Sequence, residues 1–591
     1  MFNKYYQDEL NYLRELGREF AKAHPASAHL LSEEGAEAGT DPDVERLLEG
    51  FAFLTGRVRQ KLDDELPELT HTMMGLLWPH YLRPIPSTSI LEFDPMPHMV
   101  AETQRIPRGV EIESIPVDGT KCRFRTCFDV EVLPIVLREV SLESGARGPE
   151  SLNLRFTLNQ GATLDGMEAE GLRFHLHGDS SLTDKLYLWL TKRLKGIVLR
   201  AELSNEETAR VELTPENLKP AGFGPGEAIF PYPEHAFSGY RLLQEYFSLP
   251  AKFLFLDLNG LERLKAEQGA DAIEVRFLFE GIDDAGVRVS RDNIRLNCTP
   301  VANLFSCEAD PIRLEHNRVE YRVRPAGYDP LHGEIYSVDS VTGIVQGTAE
   351  VRDYPPFFSF VRGADPKEAE CIYYRIRLHP STVGGGTTTY IAFVDKGESN
   401  RLPLHETISL ELTCTNRTLP EQLRPGDISV ATGSSPVFAT FRNISAVTPS
   451  VPPPLGGDLH WRLISHLSLN YLSLTELESL RGILGAYNFQ ALRDRQAARA
   501  NELRLSGLKS IRAVPSERLL QGVPVRGTVV EIELVEDHFA GEGEMVLFAS
   551  ILNEFLALYA SMNTFSELVV HGVQQGETYR WPPRLGDQIV L

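Results

Sequence analysis

At the start of the chain, apolar residues recur with helical spacing. Tyr6, Leu10, Leu13, Gly17 and Phe20 fall at offsets 0, 4, 7, 11 and 14, one narrow stripe with a period near 3.5. His24 and Pro25 end it, because a proline ring disfavours helix in the residue before it. A polar, small-residue loop over Glu33–Gly39 follows. Asp41 then serves as a cap and Pro42 as the first residue of a second helix, whose Val44, Leu47, Leu48, Phe51, Leu54, Val58 and Leu62 form a wider apolar face. After Pro67 the pattern predicts a third, shorter helix over Leu69–Trp78, stopped by WPHYLRPIP, where Pro79, Pro84 and Pro86 force an extended path.

From about Ser89 the period changes from helical to alternating. SILEF, TKCRFRTCFDVEV, SLNLRFTL, LRFHLHG, AIEVRFLFE, NRVEYRVRP, CIYYRIRLHP, TISLELTC and DISVAT read as strands separated by Gly, Asp, Asn and Pro. Helices are predicted at Leu182–Leu194 and Tyr240–Phe247, so the class is α+β. TPSVPPPLGGD, residues 448–458, holds four prolines and two glycines and reads as a linker. Beyond it come a helical run from His460, a capping-box pattern at Ser473-Leu-Thr-Glu476 before a helix through Leu484, and a helix over Met545–Tyr559 flanked by the strands PVRGTVVEIEL and FSELVVHG. The expected organisation is a helical region at 1–88, a first α+β, β-rich domain at 89–300, a second β-rich domain at 301–447, the linker at 448–458 and a compact α+β domain at 459–591.

The chain has 591 residues, which suggests about four folding units at roughly 150 residues each, and its 42% apolar and 24% charged composition is that of a globular protein. With 59 basic against 82 acidic residues the net charge is −23, which argues against duplex wrapping or a polybasic membrane surface. No segment approaches the roughly 18–20 apolar residues of a membrane-spanning helix, and the charged start lacks a signal peptide's apolar core. A cytoplasmic chain without direct membrane insertion is expected. Six cysteines, Cys122, Cys127, Cys298, Cys307, Cys371 and Cys414, are too sparse for a disulfide scaffold and lack zinc-ligand spacing, so they read as reduced, mostly buried thiols.

Motifs for catalysis are weak throughout. GxSxG, GxxxxGK and HExxH are absent, and Gly222, Gly224 and Gly226 miss the dinucleotide spacing and read as a turn. Asp63, Asp64 and Glu65 are consecutive on a helix and diverge, unlike a glycosidase pair facing across a cleft. His24, His71 and His80 lack the spacing of a ligand pair and read as structural or surface residues. Gly384–Thr389 reads as a loop tip, since it lacks a helix start and a lysine to cradle phosphate. No catalytic residue, cofactor or metal site is expected. Between Ala491 and Arg526, seven arginines and one lysine stand against three acids, a local +5. Without interleaved aromatics this is no nucleic-acid groove; it reads either as a solvated face or as a docking surface for an acidic protein.

Asp41–Ser87 (DPDVERLLEGFAFLTGRVRQKLDDELPELTHTMMGLLWPHYLRPIPS) resembles the N-terminal signature of the TssF family, baseplate subunits of the bacterial type VI secretion system. The resemblance continues through GYRLLQEYFSLPAKFLFLDL at Gly239–Leu258, TPVANLFSCEADPIRLEHNRVEYRV at Thr299–Val323, PVRGTVVEIEL with FAGEGEMVLFASILNEFLALYASMNTFSEL, and the terminal WPPRLG at Trp581–Gly586. It implies a non-enzymatic structural protein, similar to wedge proteins of contractile phage tails. It further implies association with TssG, two copies of the family's chain to one TssG, and with TssE and TssK around a VgrG hub. Such a ring docks on the membrane complex at the inner membrane and carries the contractile sheath.

Interfaces favour aromatic, Met and Arg residues at their buried centres. The expected partner contacts are therefore Tyr6, Leu13 and Phe20 on the first helix; Trp78, His80 and Tyr81 after the third; Arg493, Arg495 and Arg499 in the basic segment; and Trp581 and Arg584 at the end. The bland reading is that these stripes pack within the chain and that Trp581 is a buried plug. Two other functions compete: a β-rich carbohydrate-active enzyme or lectin, and an adaptor that loads secreted effectors through the basic segment.

Overall fold

The computed structural model describes residues 6–7, 9–14, 16, 42–143, 150–164, 167, 171–204, 206–232, 237–264, 269–283, 286–314, 318–345, 351–357, 372–381, 385–395, 406–455, 476–520 and 522–586. The chain divides into two units, Met1–Trp78 with Pro454–Ile464, and Pro79–Pro453 with Ser465–Leu591.

In the first unit, the described residues between 6 and 16 are helical, and α1 runs unbroken over Pro42–Leu77. This corrects the expected break after Pro67. A proline inside a helix removes one i→i−4 hydrogen bond and costs about 3 kcal/mol, yet the helix continues on both sides. The apolar stripe is also used differently from expectation. Ala52 and Gly56 are buried, whereas Leu47, Phe51 and Leu54 are 72%, 56% and 63% exposed. Gly56, costly as a helix former, thus sits on a buried face of α1.

The second unit is a set of mainly antiparallel sheets. The six-stranded sheet has the order Ile428–Val430, Glu111–Val117, Thr120–Thr126, Cys298–Ala302, Thr88–Pro95, Ala439–Asn443, with Leu91, Phe93, Phe124 and Val301 in its core. It takes strands from both sides of residue 300. A five-stranded sheet runs Glu206–Leu213, Leu194–Leu203, Ala272–Phe279, Ser151–Leu158, Ile135–Glu143. Another five-stranded sheet has Glu406–Thr415 as its spine, with Phe305–Glu308 and Ile312–Leu314 on one side and Glu334–Val345, followed by Val351–Asp353, on the other. NRVEYRVRP yields only Tyr321–Arg322, whereas the threonines of GGGTTT open the long strand Thr387–Asp395.

Four helices confirm the sequence reading, with shifted ends: α2 (Ser180–Lys192), α3 (Ser238–Ser248), α4 (Leu477–Ala486) and, after α5 (Arg495–Ser506), α6 (Glu542–Tyr559). Helix α4 starts after Glu476, so that residue is its cap and not its third position; Ser473 and the run from His460 lie outside the described residues. Helix α6 is the crossover between two parallel strands, Val523–Leu534 and Phe565–Gly572, and packs on α2 and α3. That connection, a helix joining parallel neighbours, is what parallel pairing requires.

The expected linker is pinned where described. Thr88 and Thr448 exchange backbone and side-chain hydrogen bonds of 2.9 Å, and Ile85 pairs with Val451 through bonds of 2.8 and 3.0 Å. Ser450 and Val451 are buried. Prolines here stiffen a bound strip of chain; residues 456–458 lie outside the described set.

Candidate partner-binding surfaces

Pro79–Leu82 forms one 3-10 turn that carries His80 and Tyr81 inward. Both are almost fully buried in a cage built from α3, α6 and the segment after α4. The His80 ring lies 4.5 Å from Tyr232; Tyr81 lies 4.8 Å from Phe489 and donates to the Ala486 carbonyl at 3.3 Å. Tyr240 stacks on Tyr487 at 5.0 Å and accepts a 2.5 Å hydrogen bond from Tyr559. Burial raises the Tyr81, Tyr240 and Tyr487 hydroxyls above the usual phenol range. The aromatic faces of His80 and Tyr81, expected at a partner contact, are occupied within the chain, as offset and edge-on ring pairs favour.

The other expected contacts divide in the same way. Trp78 is buried, Tyr6 and Leu13 are half-buried, and Phe20 lies outside the described residues. Trp581 is the plug of the bland reading. Its ring is buried, its Nε1 donates to Ser550 Oγ at 3.2 Å, and the Lys192 ammonium sits 3.5 Å from its centroid. Arg584 pairs with Glu554. Arg493 is also tied inward, with Nη1 and Nη2 on the Glu421 carboxylate at 2.6 and 3.3 Å and a further bond to the Ser450 carbonyl, so it fastens the 448–451 strip. Trp78 and Trp581 are thus held in the chain's own packing, while Arg493 keeps part of its side chain exposed beside its ion pair.

Of the basic segment, Arg504 pairs with Glu544, Arg518 with Glu567 and Arg526 with Glu517. Arg495, Arg499 and Arg512 are exposed and, among the described residues, make no ion pair. These three form the part of the segment open to a partner. Next to them the hairpin of Leu508–Leu520 and Val523–Leu534 outruns its sheet. The strand Phe565–Gly572 joins only from Gly527 onward, which leaves Ser516–Arg526 as a two-stranded ribbon. Leu519 and Val523 at its tip are 73% and 59% exposed.

Sequence reasoning missed the buried charge cluster behind the GYRLLQEYFSLPAKF motif. Glu245 and Lys252 are fully buried and paired, and Arg241 beside them is nearly so. Glu245 also accepts from the backbone of Ile229 at 2.7 Å, while Arg241 donates to the carbonyls of Gly224 and Pro225 at 3.3 Å. Burial lowers the Lys252 amine and Glu245 opposes it. The cluster anchors the turn over Gly222–Glu227, where Gly222 has φ +96° and an added Cβ would meet the Lys252 carbonyl at 2.6 Å. A mixed run of charges on a short helix carries no sign of facing inward, and only the unusual apolar density of its neighbours hinted at it.

One cavity of about 290 Å³ opens between α2 and the loop entering α6. Of its carboxylates, Asp184, Asp283, Glu542 and Glu577, the last two share the Arg193 guanidinium, Glu542 at 3.4 Å, so they form an ion-paired cluster and not two acids facing across a substrate. The carbohydrate-active alternative draws no support from it. The side chains of Asp63, Asp64 and Glu65 lie outside the described residues. Among the described residues no group of three His, Cys, Asp or Glu is placed to hold a metal, and no helix is long and apolar enough to cross a membrane.

Comparison with known proteins gives these surfaces a context. The family model for the type VI secretion system protein TssF matches residues 1–588. The type VI secretion system component TssF1 of Pseudomonas aeruginosa is 32% identical over 99% of this chain and 98% of its own. A chain in the cryo-electron-microscopy structure of the TssK–TssF–TssG baseplate subcomplex superposes with a TM-score of 0.75 at 33% identity, covering 92% of this chain and 99% of that one. A chain in the baseplate complex of the type VI secretion system does so with a TM-score of 0.63 at 30% identity over the full length of both. By sequence and by fold, from end to end, this chain belongs to the TssF family of the type VI secretion system.

Proposed function

We propose that this chain works as a structural wedge subunit of the type VI secretion baseplate, acting by being gripped by its neighbours. A TssF-family chain is a baseplate component, and the match of 92% of this chain to a chain of the TssK–TssF–TssG subcomplex is the observation that carries the reading. In this reading TssG and TssK are direct partners, and a second copy of the chain, TssE and the VgrG hub complete the wedge ring. The ring sits in the cytoplasm, docks on the membrane complex at the inner membrane and carries the sheath.

The exposed row Leu47, Phe51 and Leu54 supports an interface role, because i, i+4, i+7 apolar positions left in water are best covered by another helix. Burying each is worth about 1.5–3 kcal/mol. A helix of TssG or of the second copy is the partner that fits. Tyr6 and Leu13, half-buried on a similar stripe, belong to the same proposed surface. Coexpression with TssG and TssK tests the reading: the wild-type chain co-elutes with both on size exclusion, and Leu47→Glu with Phe51→Glu abolishes co-elution while circular dichroism stays unchanged. A wild-type chain that elutes alone, folded and monomeric, in the presence of both partners defeats it.

A further inference from the structure

Among the described cysteines one pair differs from the rest. Cys122, Cys127 and Cys298 are buried singly, and burial pushes the Cys122 and Cys127 thiols up to about 11 and about 12, so all three are inert. Cys307 and Cys414 instead lie on the adjacent antiparallel strands Phe305–Glu308 and Glu406–Thr415. The register sets Cys307 opposite Leu412 and Phe305 opposite Cys414, so both sulfurs project from the same face, and they stand 3.5 Å apart.

Their surroundings divide the two roles. Cys307 is partly exposed, and the Arg123 guanidinium lies 5.2 Å over the neighbouring Phe305 ring. Cys414 is fully buried. The hydrogen bond from the Cys414 thiol, aided by Arg123, holds Cys307 below the ordinary thiol range, while the same bond and burial hold Cys414 above it. Cys307 also sits on a four-residue strand at the sheet's edge, paired within the sheet to Glu406–Thr415 alone, with the Ala326 amide on the Glu308 carbonyl at 2.8 Å on its other side. Closing from 3.5 Å to the roughly 2.05 Å of a disulfide is a small movement for such a strand.

We propose that Cys307 and Cys414 are a modification site, a dithiol that hydrogen peroxide converts to a disulfide reducible by thiols. The Cys307 thiolate attacks one peroxide oxygen; the O–O bond breaks, hydroxide leaves and takes up a proton as water, and Cys307 becomes a sulfenic acid. Cys414 sulfur then attacks Cys307 sulfur, the S–O bond breaks, the S–S bond forms, and a second water leaves with the Cys414 proton. Two electrons pass from the two sulfurs to the peroxide. A partly exposed cysteine with a lowered pKa beside a resolving thiol is the arrangement that such chemistry selects, and disulfides in reducing compartments are of this transient kind. The product staples the edge strand to the spine of its sheet.

The test uses the full-length chain, freed of reductant, treated with hydrogen peroxide, alkylated and analysed by intact mass and peptide mapping. The expected result is a product about 2 Da lighter before alkylation and two alkyl groups short after it, with one cross-linked peptide pair joining Cys307 to Cys414 and full reversal by dithiothreitol. Cys414→Ser leaves a Cys307 sulfenic acid, about 16 Da heavier and trapped by dimedone, while Cys307→Ser gives neither product. The wild-type mapping needs no variant to fold. Complete alkylation of both thiols after peroxide, or a cross-link through any other cysteine, overturns the proposal.

Discussion

At the scale of single residues, the same side-chain chemistry serves cores and interfaces, and only position decides between them. Aromatic residues and arginine are enriched at interface centres, but a tyrosine is equally at home in a core when its hydroxyl finds a partner. Thus Tyr81 and Trp581 stood out in the sequence, but whether they face a partner or the core, with both readings open for Trp581, is decided only by the fold. Asp184 makes the converse point, since nothing in its neighbourhood of sequence marks it. Gly543 approaches it so closely that an added Cβ would lie 2.0 Å from the Asp184 carbonyl, and burial with the Glu544 carboxylate pushes the Asp184 side chain up to about 7, Arg504 opposing. Tyr246 is the remaining titratable group coupled to it. A carboxyl whose folded pKa exceeds its unfolded value supports the fold fully below about pH 4 and loses that support as pH rises to about 7. Asp184→Asn removes this ionisation. Its melting temperature relative to wild type should therefore climb between pH 4 and 7 and stay level above; a difference independent of pH would contradict the burial of this carboxyl.

At the scale of elements, periodicity located what was strongly patterned and missed what was not. The strands Ser151–Leu158 and Ala272–Phe279 alternate clearly and stand where expected, and α6 was legible from its apolar face. Leu194–Leu203 and Glu334–Val345 were missed, the first because it follows α2 with only Arg193 between them and no turn signal, the second because Ser, Asp and Thr dilute its alternation. The hairpin was half legible. Its second strand was expected, but only pairing register shows that the ribbon projects beyond its neighbour. One face of the ribbon is held, with Leu520 and Val525 packed on the Phe565 cluster and Arg518 paired to Glu567, so the exposed Leu519 and Val523 are the part left for a partner to cover. Replacing both by serine should change unfolding free energy by no more than about 0.5 kcal/mol, as for other exposed positions. The same pair of changes should weaken the TssG–TssK complex in a pull-down titration. Undiminished binding would return the ribbon to the role of a solvated arm.

At the scale of the whole molecule, charge is distributed so that the rare cationic region is largely consumed internally. Five of its eight cations, Arg493, Arg504, Lys509, Arg518 and Arg526, have carboxylate partners within the chain. The local +5 read from sequence is thus an overestimate of what a neighbour meets, and the usable part is Arg495, Arg499 and Arg512 against a background of −23. Sequence alone could sum the charges but not pair them, because Glu421, Glu544 and Glu567 lie far away along the chain and arrive only through folding. Exposed cations of this kind govern association rate and salt dependence more than final affinity. Reversing Arg495 and Arg499 to glutamate should therefore slow association with an acidic partner surface of the wedge, most at low ionic strength, with the difference from wild type shrinking as salt rises past about 0.15 M, where screening acts within about 8 Å. Stopped-flow or surface-binding kinetics at several salt concentrations read this directly. If the reversed chain associates at the wild-type rate at every salt concentration, the open arginines face solvent in the assembled wedge, and the apolar row on α1 and the hairpin tip remain the proposed grips.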